Sequence, residues 1–137
     1  MREKLFRGMR KDNGEWVEGF LFQTKEHTYI AYAEQFDDDL FLSPKNIFIE
    51  VIPETVGQFI GLTANGKKIF EGDIVAGAVY WLGRQKNGIV AFRDGSFGLI
   101  WHRGEVEQFN PFTSMCNIEY EVIGNIHDNE ELSEGGE

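Results

Sequence analysis

Trp16-Val17-Glu18-Gly19-Phe20-Leu21-Phe22-Gln23 alternates with a period of two. Trp16, Glu18, Phe20 and Phe22 fall on one side of an extended chain, with Glu18 the polar exception. Val17, Gly19, Leu21 and Gln23 fall on the other. Successive side chains of a strand point to opposite faces, so this stretch reads as β-structure. The same reading extends outward. Thr28-Tyr29-Ile30-Ala31-Tyr32 is rich in β-branched and aromatic residues. Ile47, Ile49 and Val51 alternate with Phe48, Glu50 and Ile52, as in a strand covered on both faces. Ile118-Glu119-Tyr120-Glu121-Val122 alternates cleanly, with one wet face and one dry face.

The punctuation agrees. Asn-Gly stands at Asn13-Gly14, Asn65-Gly66 and Asn87-Gly88, and Asp-Gly at Asp94-Gly95. These dipeptides accept the positive φ angles of two-residue hairpin turns. No stretch of twelve or more residues shows the apolar spacing of a helix; a short one over Asp128–Leu132 is the exception considered. Strands are expected near residues 4–9, 15–24, 28–33, 46–52, 67–70, 73–82, 88–93, 96–101 and 118–126. Residues 103–117 read as a long loop.

The fold class is therefore mainly β. The chain of 137 residues fits one domain over residues 1–129, followed by an acidic tail at 130–137 that reads as disordered. Pro53 and Gly57 mark a joint between a hairpin-rich N-terminal unit, 1–57, and a small SH3-like curled sheet or barrel, 58–126. The twelve Phe supply large apolar side chains for a core.

Charge excludes more than it suggests. The net charge is −10. Seven of the 23 acids lie between Glu119 and Glu137, where there is no Lys or Arg. The remaining sixteen stand against thirteen bases, so the body is nearly balanced. Nucleic-acid binders draw affinity from Lys and Arg against phosphate, and this chain has no basic excess. The single cysteine, Cys116, forms no internal disulfide and has no ligand cluster beside it in sequence. It reads as a small buried hydrophobe in a reducing compartment. No apolar run spans a membrane and no signal segment opens the chain. A cytoplasmic location is the expectation.

Candidate sites are few. Glu71 and Asp73 are paired carboxylates, an acid–base or metal pattern, but Asp beside Gly is also an ordinary turn residue that accepts backbone N–H groups. Asp37-Asp38-Asp39 lacks the alternate spacing of a calcium loop and reads as a solvated loop. His27, His102 and His127 lack metal-ligand spacing. No cofactor motif is present. Trp81, Arg84 and Lys86, with Trp101 and Arg103, set aromatics beside bases at strand ends. That combination anchors protein partners or stacks bases; the plainer alternative is two core Trp with ordinary surface charges.

Gln58-Phe-Ile-Gly-Leu-Thr-Ala-Asn-Gly-Lys-Lys-Ile-Phe-Glu-Gly-Asp-Ile-Val75 resembles the signature of the YopX family of phage and prophage proteins. Phe6-Arg7-Gly8 followed by Asn13–Gly19 is similar to that family's opening. Gly88–Phe92 and Asp94–Phe97 resemble its middle hairpin, and Tyr120–Asn129 its closing strand. The resemblance implies a β-rich fold, a phage or prophage origin and self-association. It brings no catalytic residues. The expected function is a non-enzymatic protein-binding or regulatory module, homo-oligomeric, with a host or phage protein as partner. A nucleic-acid-binding β barrel and a minor virion or assembly component are the alternatives. An enzyme site around Glu71, Asp73 and a histidine is the least favoured.

Overall fold

The Asn-Gly and Asp-Gly turns set the architecture. Asn65 and Gly66 have φ of 52° and 78°, and Asp94 and Gly95 have 50° and 84°. Two consecutive positive φ values make a turn whose twist matches the flanking strands. The first joins β5 (Gly57–Ala64) to β6 (Lys67–Phe70), and the second joins β8 (Arg84–Arg93) to β9 (Ser96–Arg103). The computed structural model describes residues 4–34, 45–81, 84–112 and 121–129. Its other strands are β1 (Phe6–Met9), β2 (Trp16–Gln23), β3 (Thr28–Glu34), β4 (Lys45–Glu50), β7 (Asp73–Trp81), β10 (Val106–Pro111) and β11 (Glu121–Asn125). All pairings among them are antiparallel. One sheet runs β4-β3-β2-β1-β5-β6 and the other β10-β9-β8-β7-β11. This mainly-β arrangement is the one expected from sequence, and it is compatible with an SH3-like curl.

Two strands depart from expectation. β5 carries Gly61 at φ 89° and a register shift between Phe59 and Thr63. That bulge breaks the period-two signal by which strands are read. β10, Val-Glu-Gln-Phe-Asn-Pro, is an edge strand within the stretch read as a loop, because it carries few apolar residues and ends on proline. Asn87-Gly88 is also corrected. It lies inside β8, with Gly88 opposite Val75; a separate turn, at Gly104 with φ 63°, joins β9 to β10.

Backbone contacts divide the chain into two units, 1–58 and 59–137. In the first, β2 pairs through Trp16–Gly19 with β1 and through Phe20–Gln23 with β3. Gly19 is the corner of this change of partner. A Cβ there would lie 2.3 Å from the Ala31 carbonyl oxygen, so only glycine lets the strands meet. The unit closes on itself. Lys11 N–H donates to Glu50 O at 3.0 Å, and Ile52 N–H donates to Met9 O at 2.9 Å. A 3-10 turn at Pro53–Thr55 follows. Its buried Thr55 hydroxyl donates to Ile52 O and accepts the Met9 N–H at 2.9 Å, tying the turn to β1. Ile30 and Val51 are fully buried beneath this ring. In the second unit Ile60, Ala64, Ile69, Val75, Val90, Leu99 and Val122 form one core cluster, flanked by Phe97 and Phe112. Burying each large aliphatic side chain contributes about 1.5–3 kcal/mol.

Candidate interaction surface

Side chains directly opposite on paired strands share a face. In the first unit, Phe20 stands opposite Ala31, Phe22 opposite Tyr29, Ala31 opposite Phe48 and Met9 opposite Trp16. Trp16, Phe20, Phe22, Tyr29 and Phe48 therefore occupy one face. It is the outer one: Phe20 is 64% exposed, Phe22 49% and Phe48 53%, whereas Ile30 on the opposite face is fully buried. The sequence reading assigns such aromatics to a core, and here that is corrected. The inner face of this small unit is filled by Ile30, Val51 and close-approaching glycines. Three of the rings pack together. Phe22 lies 5.5 Å from Phe48, edge-on, and 6.2 Å from Tyr29.

The rim is charged but internally neutralised. Arg10 Nε and Nη2 donate to the two Asp12 carboxylate oxygens at 2.9 Å each. The Glu50 carboxylate meets His27 Nδ1 at 2.8 Å and accepts from Lys11 Nζ at 3.2 Å. The Arg7 guanidinium sits 4.9 Å over the Trp16 ring. His27 first and Lys11 second hold the Glu50 carboxyl below the usual carboxylate range, and Arg10 does the same for Asp12. These pairs act above the ordinary carboxylate pKa and release as pH falls through the lowered values. Being exposed, they add little to stability. Beside them Arg10, Lys11, Asp12, Phe48, Ile49 and Glu50 line an open groove of about 350 Å³.

The residues singled out in sequence lie on the neighbouring strands β7, β8 and β9. Trp81 and Arg84 are paired backbone positions of β7 and β8; their side chains lie outside the described residues. Lys86 is half-buried opposite Val79. Trp101 is 9% exposed, and its indole N–H has no hydrogen-bond partner among the described residues. Arg103, two residues along β9, is exposed. A buried indole cannot offer its face to a partner, so Trp101 acts in packing. Asp37-Asp38-Asp39, Cys116 and the acidic tail lie outside the described residues. No three His, Cys, Asp or Glu among the described residues are placed to hold a metal. Among them, too, no helix is long and apolar enough to cross a membrane.

Asp73 is a structural turn residue. It is 1% exposed and accepts the Phe70 N–H at 2.8 Å, closing the β6–β7 turn. Glu71 is half-buried beside it. The closing stretch Gly124–Asn129 docks on the same turn, with Ile126 N–H donating to Gly72 O at 2.9 Å. There the buried Asn125 side chain accepts N–H groups from both His127 and Asp128 at 2.9 Å and donates to the Asp128 carboxylate at 3.2 Å. Asn125→Ala is expected to cost about 2 kcal/mol, because two donors lose their acceptor. Asn125→Asp keeps the acceptor but replaces the amide donor with a second carboxylate facing Asp128, so it should cost at least as much. Urea unfolding midpoints check both; equal midpoints for Asn125→Ala and wild type would contradict this role.

Comparison with known proteins follows the same outline. The structure is similar to the crystal structure of protein EF1440 from Enterococcus faecalis, with a TM-score of 0.54 at 23% identity over 96% of this chain and 99% of that one. That likeness concerns the fold. No curated protein matches the chain. The model of the family described as YopX protein matches residues 5–134. That match spans nearly the whole of both units, and the chain belongs to the YopX protein family.

Proposed function

We propose that this protein is a non-enzymatic protein-binding module that self-associates, of phage or prophage origin, acting in the cytoplasm of a bacterial host. The observation that carries the reading is the outer face of the first unit. Phe20, Phe22 and Phe48 together expose about 300 Å² of ring surface, taking about 200 Å² for each side chain. That is the size of the largest apolar patch on a typical monomer, and such patches mark interaction sites. Aromatic centres within a polar rim are the anatomy of protein interfaces. Because Asp12 and Glu50 already neutralise Arg10 and Lys11, the rim offers no net positive charge to a phosphate backbone. The occupant it suits is an apolar or aromatic segment of a host or phage protein.

Panning a random peptide library on the full chain tests this. Selected peptides should be rich in aromatic and aliphatic residues and should bind Phe22→Ser about tenfold more weakly, a loss of about 1.4 kcal/mol. Equal binding to both proteins would contradict the assigned face. Salt-sensitive oligonucleotide binding would favour a nucleic-acid-binding barrel instead.

A further inference from the structure

The chain holds three Asn-Gly pairs, and their surroundings differ. We propose that Asn65-Gly66 is a site of spontaneous deamidation, that folding shields the other two pairs, and that the product loosens the β5–β6 hairpin. The inference goes beyond the binding reading and does not depend on it. The reaction is intramolecular. The Gly66 backbone nitrogen attacks Asn65 Cγ and gives up its proton. The Cγ–Nδ2 bond breaks, and ammonia leaves with that proton as a succinimide ring closes. Water then opens the ring. Opening at Cγ gives aspartate. Opening at the main-chain carbonyl gives isoaspartate, in which the chain runs through the former side chain. Glycine favours the attack because no side chain shields its nitrogen.

Attack needs a free nitrogen, a free side-chain amide and a peptide plane that can rotate. Asn65-Gly66 offers all three. Both residues are exposed, and a methyl group added at Gly66 would meet no heavy atom within 4 Å. Ala64 and Lys67 form the last ladder pair of β5 and β6, so the Asn65–Gly66 peptide lies beyond the ladder. Among the described residues, no hydrogen bond holds the Asn65 side chain or the Gly66 N–H.

The other pairs are held. The Gly14 N–H donates to Arg10 O at 3.0 Å, and Asn13 Oδ1 accepts the Glu15 N–H at 2.9 Å. Asn87-Gly88 lies inside β8, where Gly88 is buried opposite Val75. Each must open locally before it can react, and local opening costs free energy.

The product bears on the second unit. Isoaspartate adds a carbon to the main chain of the turn between β5 and β6, and turn length fixes the register of a hairpin. Ala64, just before the turn, is buried and shares the core cluster with Ile60 and Ile69 of the same hairpin. The lengthened turn therefore strains the Ala64–Lys67 pair and loosens the hairpin.

Incubation of the full chain at mildly alkaline pH, followed by peptide mapping with mass spectrometry, tests the proposal. Asn65 should convert about tenfold or more faster than Asn13 or Asn87. In urea the three should convert at closely similar rates, because only folding separates them. An intact Asn65, or equal conversion of all three in the folded chain, would overturn the site. So would a gap of the same size that persists in urea. Asp94→Asn builds a second exposed pair at the β8–β9 turn, where a methyl group at Gly95 would also meet no heavy atom within 4 Å. It should convert at a rate like that of Asn65; a resistant Asp94→Asn would overturn the selection by exposure at a turn. The isoaspartate form, separated by its added charge, should unfold at a lower urea concentration than fresh protein. Equal midpoints would overturn the loosening.

Discussion

Leu99→Ala is expected to lower the unfolding free energy by about 3 kcal/mol, with an unchanged dependence on urea concentration. Leu99 is fully buried and packs in the cluster that contains Ile69, Val75 and Val90. Truncation removes its transfer free energy and leaves a cavity between sheet-borne neighbours that cannot collapse freely. Leu62 gives the control. It is 39% exposed, so Leu62→Ala should cost under about 1 kcal/mol. Equal losses at the two positions would place the core of the second unit elsewhere.

Gly19→Ala should cost about 2–3 kcal/mol by overpacking. The new methyl would meet the Ala31 carbonyl oxygen at 2.3 Å, and that atom belongs to the backbone of β3 and cannot swing aside. Gly14→Ala separates this clash from conformational strain. Gly14 has φ of 75°, and a methyl group added there would meet no heavy atom within 4 Å, so alanine carries only the left-handed penalty, about 1 kcal/mol. Thermal or urea midpoints should rank wild type above Gly14→Ala and Gly14→Ala above Gly19→Ala. A Gly19→Ala protein as stable as Gly14→Ala would mean that β2 does not turn its corner at Gly19.

Local rules made most strands legible. Asn65-Gly66 and Asp94-Gly95 turn where their positive φ values are needed, and β2, β3, β6, β7 and β9 begin within a residue of their expected starts. Asn87-Gly88 shows the limit of that rule, since Gly88 is a ladder position opposite Val75 and the dipeptide sits where the β7–β8 register shifts. β5 was hidden by its bulge at Gly61. β10 was hidden because an edge strand needs few apolar residues.

The candidate surface was only half legible. Alternation in Trp16–Gln23 shows that Phe20 and Phe22 share a face, yet it cannot say whether that face is wet. Side is decided by what fills the other face, and in the first unit Ile30 and Val51 already do so. The aromatic-and-base pairs drew attention to Trp101, whose burial comes from strand packing that no local pattern encodes. The internal pairing of Arg10 with Asp12 is local in sequence, but that of Glu50 with His27 and Lys11 depends on closure of the ring.

The most direct test of the protein-binding reading is the salt dependence of a library-selected peptide, titrated at low and high ionic strength against wild type and Phe22→Ser. The aromatic face predicts an affinity that holds or rises slightly with salt, because its charges are already paired and apolar contact is not screened, and it predicts weaker binding by Phe22→Ser. Affinity that falls by decades with salt, and is unchanged in Phe22→Ser, would contradict the account.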